Sequence, residues 1–352
     1  MKRMPLEIQT LYSELLERLS ALEAGRSIGH VSGSFVTKVI KGDTYYYFQY
    51  SDPGGIKRQL YIGRKDRILD DVVKKYRAER GSFAEEEIGI QRLCSLLRVG
   101  EVLLTDTASA RVLKALSDGG VFRLGAVLVG THAFLVLGNL LGVRWPGGSL
   151  RTQDIDIAAE ATVSIAIPDV WTDIPGVLEG LKMGFLPVPQ LDPRNPSTSF
   201  KVRGKGLRLD LLTPLRGKRS QGPVTIPRLN AAAQPLPFLD FLITRAVRGA
   251  IVDGGGILLN VPDPARFALH KLIISGERVT VMHTKREKDL RQASQVFSVL
   301  IEERPQDVRL TLKEIQHEGK GWVKRVEAGI SALKKIDSAI AEKVASFLAD
   351  AR

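Results

Sequence analysis

The sequence predicts a mixed α+β or α/β fold. A mixed β-sheet with flanking helices follows a small N-terminal antiparallel sheet and precedes a C-terminal helical region. Three observations lead to this prediction. Apolar residues recur at helical spacing over 6–24 and again from 264 onward. Residue types alternate over 32–63, as in half-buried strands. Between about 120 and 262, short apolar runs alternate with helical segments, which is typical of an α/β unit.

Composition limits the class of protein. The chain has 352 residues, of which 44% are hydrophobic, so it can bury a core of about two domains. It has one cysteine, which excludes a disulfide framework and a cysteine-based zinc site. A formal charge of +12 favours polyanionic partners such as nucleic acid or nucleotides. The sequence shows no secretory signal and no apolar run of about 18 residues, so we expect a cytoplasmic protein of bacterial type, with no membrane partner.

The N-terminal region divides into three parts. The spacing of apolar residues predicts a helix over 6–24 that stops at Gly25. The stretch SGSFVTKVIKGDTYYYFQYSDPGGIKRQLYIG predicts two hairpins or a three-stranded antiparallel sheet, with turns at 41–43 and 52–55. From 66 to about 115 the pattern is helical again, with breaks expected near 80–82 and at Gly100.

Aromatic and basic residues are concentrated in the predicted N-terminal sheet. Tyr45, Tyr46, Tyr47, Phe48 and Tyr50 follow one another closely, and lysines and an arginine lie nearby (Lys38, Lys41, Lys57 and Arg58). Stacking rings beside basic side chains are typical of a nucleic-acid surface. An ordinary small sheet that covers a helix with its aromatic side chains fits the same pattern. The sequence leaves both interpretations open.

The central region has the strand and helix pattern of a mixed sheet. VFRLGAVLVG predicts a buried strand, and a helix is expected over 131–141. Further strands are predicted at DIDIAA, SIAIP, SFKVR, LRLDLLTP and ILLNVP. From 264 the chain is helical and basic, with a break near 303–305. We therefore expect an N-terminal region over 1–115 that could bind an acceptor, a core over 116–262 and a helical domain over 263–352.

Three acids lie on predicted strands. Asp154 and Asp156 are two residues apart, so both side chains project from the same face of a strand. Two adjacent carboxylates repel each other unless a cation lies between them, and hard oxygen ligands suit Mg²⁺ or Mn²⁺. An acidic pair at a solvated strand edge fits the same spacing. Asp210, in GKGLRLDLLTP, adds a third carboxylate if its strand is a neighbour.

Gly130 and Thr131 join a predicted strand to a predicted helix. Glycine at this junction allows a phosphate to approach the backbone, and the helix N-terminus offers free N–H groups. His132 follows directly, and either phosphate contact or a purely structural role fits its position.

These motifs resemble the DNA-polymerase-β-like nucleotidyltransferase superfamily. Its mark is a Gly-Ser/Thr step at a strand–helix junction, then Asp-x-Asp or Asp-x-Glu, then a third acid on a later strand. VGTHAFLVLGNLLGV, RTQDIDIA and LRLDLL follow that order here. TQDIDIA with NVPDPARFALHKLIISGER is also similar to a bacterial nucleotidyltransferase-like family related to abortive-infection toxins. The resemblance spans about 115–295, and the connection from Thr131 to Asp154 is longer than the family's usual spacing.

The resemblance implies a site and an activity. Asp154, Asp156 and Asp210 would be catalytic residues that bind Mg²⁺ or Mn²⁺. Gly130 and Thr131 would hold the phosphates of an NTP substrate, with Lys271, Arg151 and Arg278 neutralising their charge. Asp289 would be a late active-site acid. For Lys271 an exposed surface lysine, and for Asp289 a helix ion pair with Lys285, are the structural alternatives.

We therefore predict a metal-dependent nucleotidyltransferase that moves an NMP from an NTP to an acceptor hydroxyl and releases pyrophosphate. The positive charge and the aromatic N-terminal sheet favour RNA, including tRNA, as the acceptor, although protein and small-molecule acceptors stay open. The alternative is a non-catalytic nucleotide- or nucleic-acid-binding regulator with a degenerate transferase fold.

Overall fold

The computed structural model of the chain describes most of its residues. The described ranges are 1–25, 33–51, 56–146, 152–161, 171–217, 222–277 and 283–351. Of the predicted strands, SIAIP lies outside these ranges.

The N-terminal region contains a long helix and a small antiparallel sheet. Its first elements are β1 (Lys2–Arg3), α1 (Leu6–Ala24), β2 (Ser34–Ile40), β3 (Asp43–Ser51) and β4 (Lys57–Arg64). β3 lies between β2 and β4 and pairs antiparallel with both. The sequence predicted this arrangement because strand residues alternate between two faces and the turns contain glycine.

One prediction for this region is wrong: the helix does not break near 80–82. α2 runs as one helix over Arg67–Val99 and ends before Gly100. A glycine inside a helix costs only about 1 kcal/mol relative to alanine. Buried side chains toward both ends of α2, among them Tyr76 and Leu97, offset that cost. The side chain of Asp66 caps the first turn by accepting a bond from the Leu69 N–H.

Helices and strands alternate through the rest of the chain. The helices are α3 (Thr107–Asp118), α4 (Gly130–Leu140), α5 (Ile174–Gly180), α6 (Leu239–Ile243), α7 (Pro264–Glu277), α8 (His283–Glu303), α9 (Pro305–His317), α10 (Lys320–Leu333) and α11 (Ser338–Asp350). The strands are β5 (Val127–Val129), β6 (Val143–Arg144), β7 (Asp154–Ala158), β8 (Phe185–Pro187), β9 (Ser199–Val202), β10 (Arg208–Pro214), β11 (Val224–Ile226), β12 (Ala231–Leu236), β13 (Val247–Ile251) and β14 (Ile257–Val261).

The central sheet is mixed, as predicted. β7 lies between β5, to which it is antiparallel, and β10, to which it is parallel. β10 also pairs parallel with β12 and antiparallel with β9. Of VFRLGAVLVG only Val127–Val129 forms a strand, because the preceding residues turn, with Gly125 at a φ of 85°. This order brings the ends of β5, β7 and β10 together.

The remaining elements complete the core. β13 and β14 form a hairpin whose turn contains the glycines at 254–256. The C-terminal helices pack on one another, and α8 and α9 meet at the predicted break near 303–305. Buried apolar side chains from the central sheet and the C-terminal helices form one continuous cluster, with Ile155, Leu209, Phe134 and Phe267 among the most buried. Within the described residues, no helix is both long and apolar enough to cross a membrane.

Candidate functional site

The three predicted acids lie on neighbouring strands. Asp156 of β7 is directly opposite Asp210 of β10, and Asp154 is opposite Arg208. Ile155 and Leu209 are fully buried on the core face of the sheet. Since alternate strand residues face opposite sides, the acids project together from the other face. The structure thus brings all three carboxylates to one side of the sheet.

Gly130 lies against Asp156. β5 pairs antiparallel with β7 so that Val129 is opposite Asp156, and α4 begins at the next residue. A Cβ atom built on Gly130 would overlap Oδ2 of Asp156 and would lie 3.2 Å from its Cγ atom. The glycine has a φ of 69°, a conformation that L-residues rarely adopt. Although the connection from Thr131 to Asp154 is long, Asp156 therefore lies beside the start of α4.

Asp210 is held by its neighbours. Its Oδ1 accepts a hydrogen bond from Nε of Arg208 at 2.8 Å and a second from the hydroxyl of Ser199. Nη2 of Arg208 also donates to the Ser199 hydroxyl, at 3.0 Å. Ser199 faces Asp210 from the antiparallel strand β9. These contacts fix the orientation of the carboxylate and compensate its charge.

The charge of Asp156 is poorly compensated. Burial is the main reason that the pKa of its carboxyl rises to about 7, and the carboxylates of Asp210 and, more weakly, Asp154 add to the effect. The ammonium group of Lys271 and the guanidinium of Arg208 oppose the rise. A cation bound at these acids would stabilise the ionised form of Asp156.

The acids fit a divalent cation by their donor chemistry. Carboxylate oxygens are the ligands that Mg²⁺ and Mn²⁺ prefer. Among the described residues, however, no three His, Cys, Asp or Glu side chains lie close enough together to hold an ion. Asp210 is engaged with Arg208 and Ser199 instead. A cation could be held by Asp154 and Asp156, and Asp210 would have to exchange the Arg208 contact to join them.

Two lysines approach the acids from the C-terminal helices. Lys271 of α7 is buried, and its Nζ donates to Oδ1 of Asp289, on α8, at 2.6 Å. Lys271 is therefore not an exposed surface lysine. Asp289 forms its ion pair with Lys271 rather than with Lys285. Lys288 lies near enough to Asp154 and Asp156 for their charges to favour its ammonium form, although burial and Lys271 lower its pKa overall. The acids thus face positive charge on two helices.

His132 is buried beside the site. Burial lowers the pKa of its imidazole to about 4, so the ring is neutral at pH 7, although Asp106 and Asp154 oppose the shift. Neither ring nitrogen has a hydrogen-bond partner among the described residues. The neutral ring therefore adds no charge at the start of α4.

An open cavity of about 400 Å³ lies beside Asp210. Its lining includes Gln190, Thr198, Ser199 and Gln234 as well as Asp210 itself. Small-molecule sites have volumes of about 300–1,000 Å³. The cavity is therefore large enough for a nucleoside-sized group to reach the Asp210 carboxylate.

Sequence reasoning did not identify every residue around the acids. It did not give Arg208, Ser199 or Lys288 a part in the site. The adjacency of Lys288 to Asp289 in the sequence could have indicated that Lys288 lies near the site. The contact of Ser199 with Asp210 depends on the pairing of β9 with β10, which the sequence does not reveal. Arg151 and Arg278 lie outside the described residues.

The comparison with protein-family models agrees with the resemblance to nucleotidyltransferases. The model of a protein family described as "Nucleotidyltransferase" matches residues 107–317, which is more than half of the chain and includes every residue discussed above as a catalytic, metal or phosphate ligand. No curated protein matches the chain. A solved structure, an antigenic nucleotidyltransferase-like protein from Paracoccidioides brasiliensis, is similar at 12% identity and a TM-score of 0.37, over 69% of this chain and 94% of that one.

Proposed function

Because the chain belongs to this nucleotidyltransferase family, we propose that it moves a nucleoside monophosphate from an NTP to an acceptor hydroxyl, with Mg²⁺ or Mn²⁺ bound at Asp154 and Asp156. The observation that supports this most strongly is the contact of Gly130 with Asp156, which lies opposite Asp210. The contact joins a helix N-terminus suited to phosphate and a carboxylate cluster suited to a divalent cation.

The residues of the site divide into two groups by chemistry. Asp154, Asp156 and, after it exchanges the Arg208 contact, Asp210 would hold the cation. When bound, the cation would supply positive charge that offsets the negative charge of the triphosphate. The raised pKa of Asp156 supports this assignment, since it reflects a carboxyl group whose charge the protein itself does not balance.

The start of α4 and the basic side chains hold the triphosphate. Gly130 has no side chain to block a phosphate, and the first N–H groups of α4 have no partner within the helix. The Thr131 hydroxyl adds a donor. Lys271, held by Asp289, lies beside the acids and neutralises a phosphate oxygen. The family resemblance implies the same role for Arg151 and Arg278.

The reaction needs only one displacement at phosphorus. The acceptor oxygen attacks the α-phosphorus atom in line, and a new oxygen–phosphorus bond forms. The bond from the α-phosphorus to the bridging oxygen breaks, and its electron pair leaves with pyrophosphate. Asp210 accepts the proton of the attacking hydroxyl, which reaches this carboxylate through the adjacent cavity.

The acceptor that we propose is RNA, with tRNA as one candidate. The formal charge of +12 favours a polyanion over a protein or a small-molecule acceptor. The relation to toxin nucleotidyltransferases stays a prediction. A non-catalytic nucleotide-binding protein is the alternative, and it predicts NTP binding without turnover.

Incubation with radiolabelled NTPs, Mg²⁺ and total RNA tests the proposal. We expect label in the RNA fraction with the native protein and at least about a hundredfold less with Asp156→Asn, because the charge that binds the cation is removed. Asp350→Asn is the matched control, since Asp350 pairs with Arg309 on the C-terminal helices. NTP binding with no transfer to any acceptor would instead support the non-catalytic alternative.

A further inference from the structure

The N-terminal sheet has two different faces. One face packs on α2: Phe35 and Phe48 contact the ring of Tyr76 edge to face, with ring centroids 5.1 and 5.6 Å apart. The hydroxyl of Tyr46 donates to Asp70 at 2.6 Å, which fixes the same face to the helix. These aromatic residues therefore belong to the hydrophobic packing of the sheet and are not available to a ligand.

The opposite face displays three other tyrosines. Tyr45 and Tyr47 of β3 lie on either side of Tyr61 of β4, with ring centroids 6.1 and 5.5 Å from it. Tyr61 is 55% exposed. Nζ of Lys38 lies 4.6 Å from the ring centroid of Tyr47. We call the surface formed by Tyr45, Tyr47, Tyr61, Lys38, Lys57 and Arg64 the tyrosine face.

The tyrosine face is basic. Residues 34–65 contain six lysines and arginines but two aspartates, so about a tenth of the chain provides a third of its net charge of +12. Lys38, Lys57 and Arg64 are exposed, and the strand pairing places all three on the side of the tyrosines. Arg64 also donates to Asp43, at 2.6 Å. The rings are thus surrounded by positive charge.

We propose that the tyrosine face binds single-stranded RNA. Aromatic side chains stack on bases of any sequence when those bases are unpaired, and lysines around them contact the phosphates. RNA is recognised mainly in single-stranded segments, in which bases can leave their own stack. A protein partner fits less well, because the centres of protein interfaces are depleted in lysine. The choice of RNA rests on the proposed function, in which RNA is the acceptor.

Direct binding tests this inference without any catalysis. A labelled single-stranded RNA of about 15 nucleotides, a length suited to one such surface, is titrated without NTP against the full chain carrying Asp154→Asn and Asp156→Asn. We expect Tyr47→Ala with Tyr61→Ala to weaken binding at least about tenfold, and Tyr47→Phe with Tyr61→Phe to bind as the parent does, because the rings remain. Circular dichroism shows whether the alanine variant is folded.

Charge variants provide an independent readout. Lys38→Ala with Lys57→Ala should make the salt dependence of binding shallower by roughly one to two in log–log slope, since phosphate contacts release counterions. Lys343→Ala, an exposed residue of α11, should leave the slope unchanged. The double lysine variant also remains informative if removal of the tyrosines prevents folding.

Three results would overturn the inference. They are equal binding by the folded tyrosine variants and their parent, a slope unaffected by the lysine substitutions, and equal competition by duplex RNA of the same sequence. Failure of nucleotidyl transfer is distinguishable from these, since binding is measured in a chain that lacks the proposed catalytic acids. Loss of transfer with intact tyrosine-dependent binding would contradict only the proposed function.

Discussion

Gly130 and Asp156 are in direct contact, and no larger residue fits at position 130 without displacing the carboxylate. The contact joins the start of α4 to the acidic face of β7, although more than twenty residues separate the two in the chain. The proposed phosphate and cation ligands therefore form one site, and its geometry depends on the absence of a side chain at Gly130.

Gly130→Ala should impair both the site and the fold. The positive φ alone costs about 1–2 kcal/mol for an L-residue, and the added Cβ would push Asp156 out of place. We expect transfer to fall at least about a hundredfold. Gly184→Ala is the matched control: its φ is 78°, but a Cβ there meets no atom within 4 Å. Transfer assays and thermal unfolding check both variants, and equal transfer by the two would contradict the importance of the contact.

Asp156 should make the protein less stable as the pH rises. Its pKa is about 7 in the folded protein, above the ordinary value of 3.8. Between these two values the folded chain keeps a proton that the unfolded chain has released. Its contribution to the free energy of unfolding therefore falls with pH, by at most about 1.4 kcal/mol per pH unit, and levels off above pH 7.

Asp156→Asn tests this dependence. We expect the variant to be more stable than the native protein at pH 8 and to lose the part of the pH dependence that lies between 4 and 7. Urea unfolding across this range measures the effect, with Asp350→Asn as the control. The prediction is contradicted if the stability of the native protein does not fall relative to that of Asp156→Asn as the pH rises. Burial would then not disfavour the ionised form of the Asp156 carboxyl.

Mg²⁺ should stabilise the native protein at pH 8. A bound cation offsets the repulsion between the carboxylates of Asp154 and Asp156, and any ligand of the folded state raises its melting temperature. We expect the shift to vanish in the chain carrying Asp154→Asn with Asp156→Asn, and removal of Mg²⁺ by a chelator to abolish transfer. The same shift in both proteins would place the cation elsewhere.

The contributions of Lys271 and Asp289 to the free energy of unfolding should depend on each other. Lys271→Met breaks its buried ion pair with Asp289 by removing one of the two charges, which costs about 3–5 kcal/mol. Lys271→Met with Asp289→Leu removes both charges and should cost less. The exposed pair of Lys114 and Asp118 is the control, and Lys114→Met should cost less than about 1 kcal/mol. Additive losses in a double-mutant cycle would show that the buried contact is energetically unimportant.

Sequence periodicity predicted the strand face on which the acids lie better than it predicted the contacts that the acids make. Alternation on a strand was enough to place Asp154 and Asp156 on one face, because side chains of a strand alternate whatever its neighbours are. The position of Asp210 opposite Asp156 depends on β7 and β10 being adjacent and in register, which involves long-range pairing. The bond of Ser199 to Asp210 depends in the same way on β9.

Other predictions from the sequence were limited for different physical reasons. The break expected at 80–82 does not occur, because packing along α2 outweighs the weak preference of Gly81 against a helix. For the aromatic residues of the N-terminal sheet, the sequence left two interpretations open, and each fits one face: Tyr46 and Phe48 pack on α2, whereas Tyr61 is exposed. The domain boundaries at 115 and 262 stay predictions.

The central claim is that the α-phosphorus of an NTP is transferred. The most direct measurement compares NTPs labelled in the α-phosphate with NTPs labelled in the γ-phosphate, incubated with the native protein, Mg²⁺ and RNA. If the protein transfers a nucleoside monophosphate, the RNA becomes labelled only when the NTP carries its label in the α-phosphate. The label of the γ-phosphate is then released in pyrophosphate. Label in RNA from the γ-phosphate, or equal α-label in RNA with Asp154→Asn and Asp156→Asn, would contradict the claim.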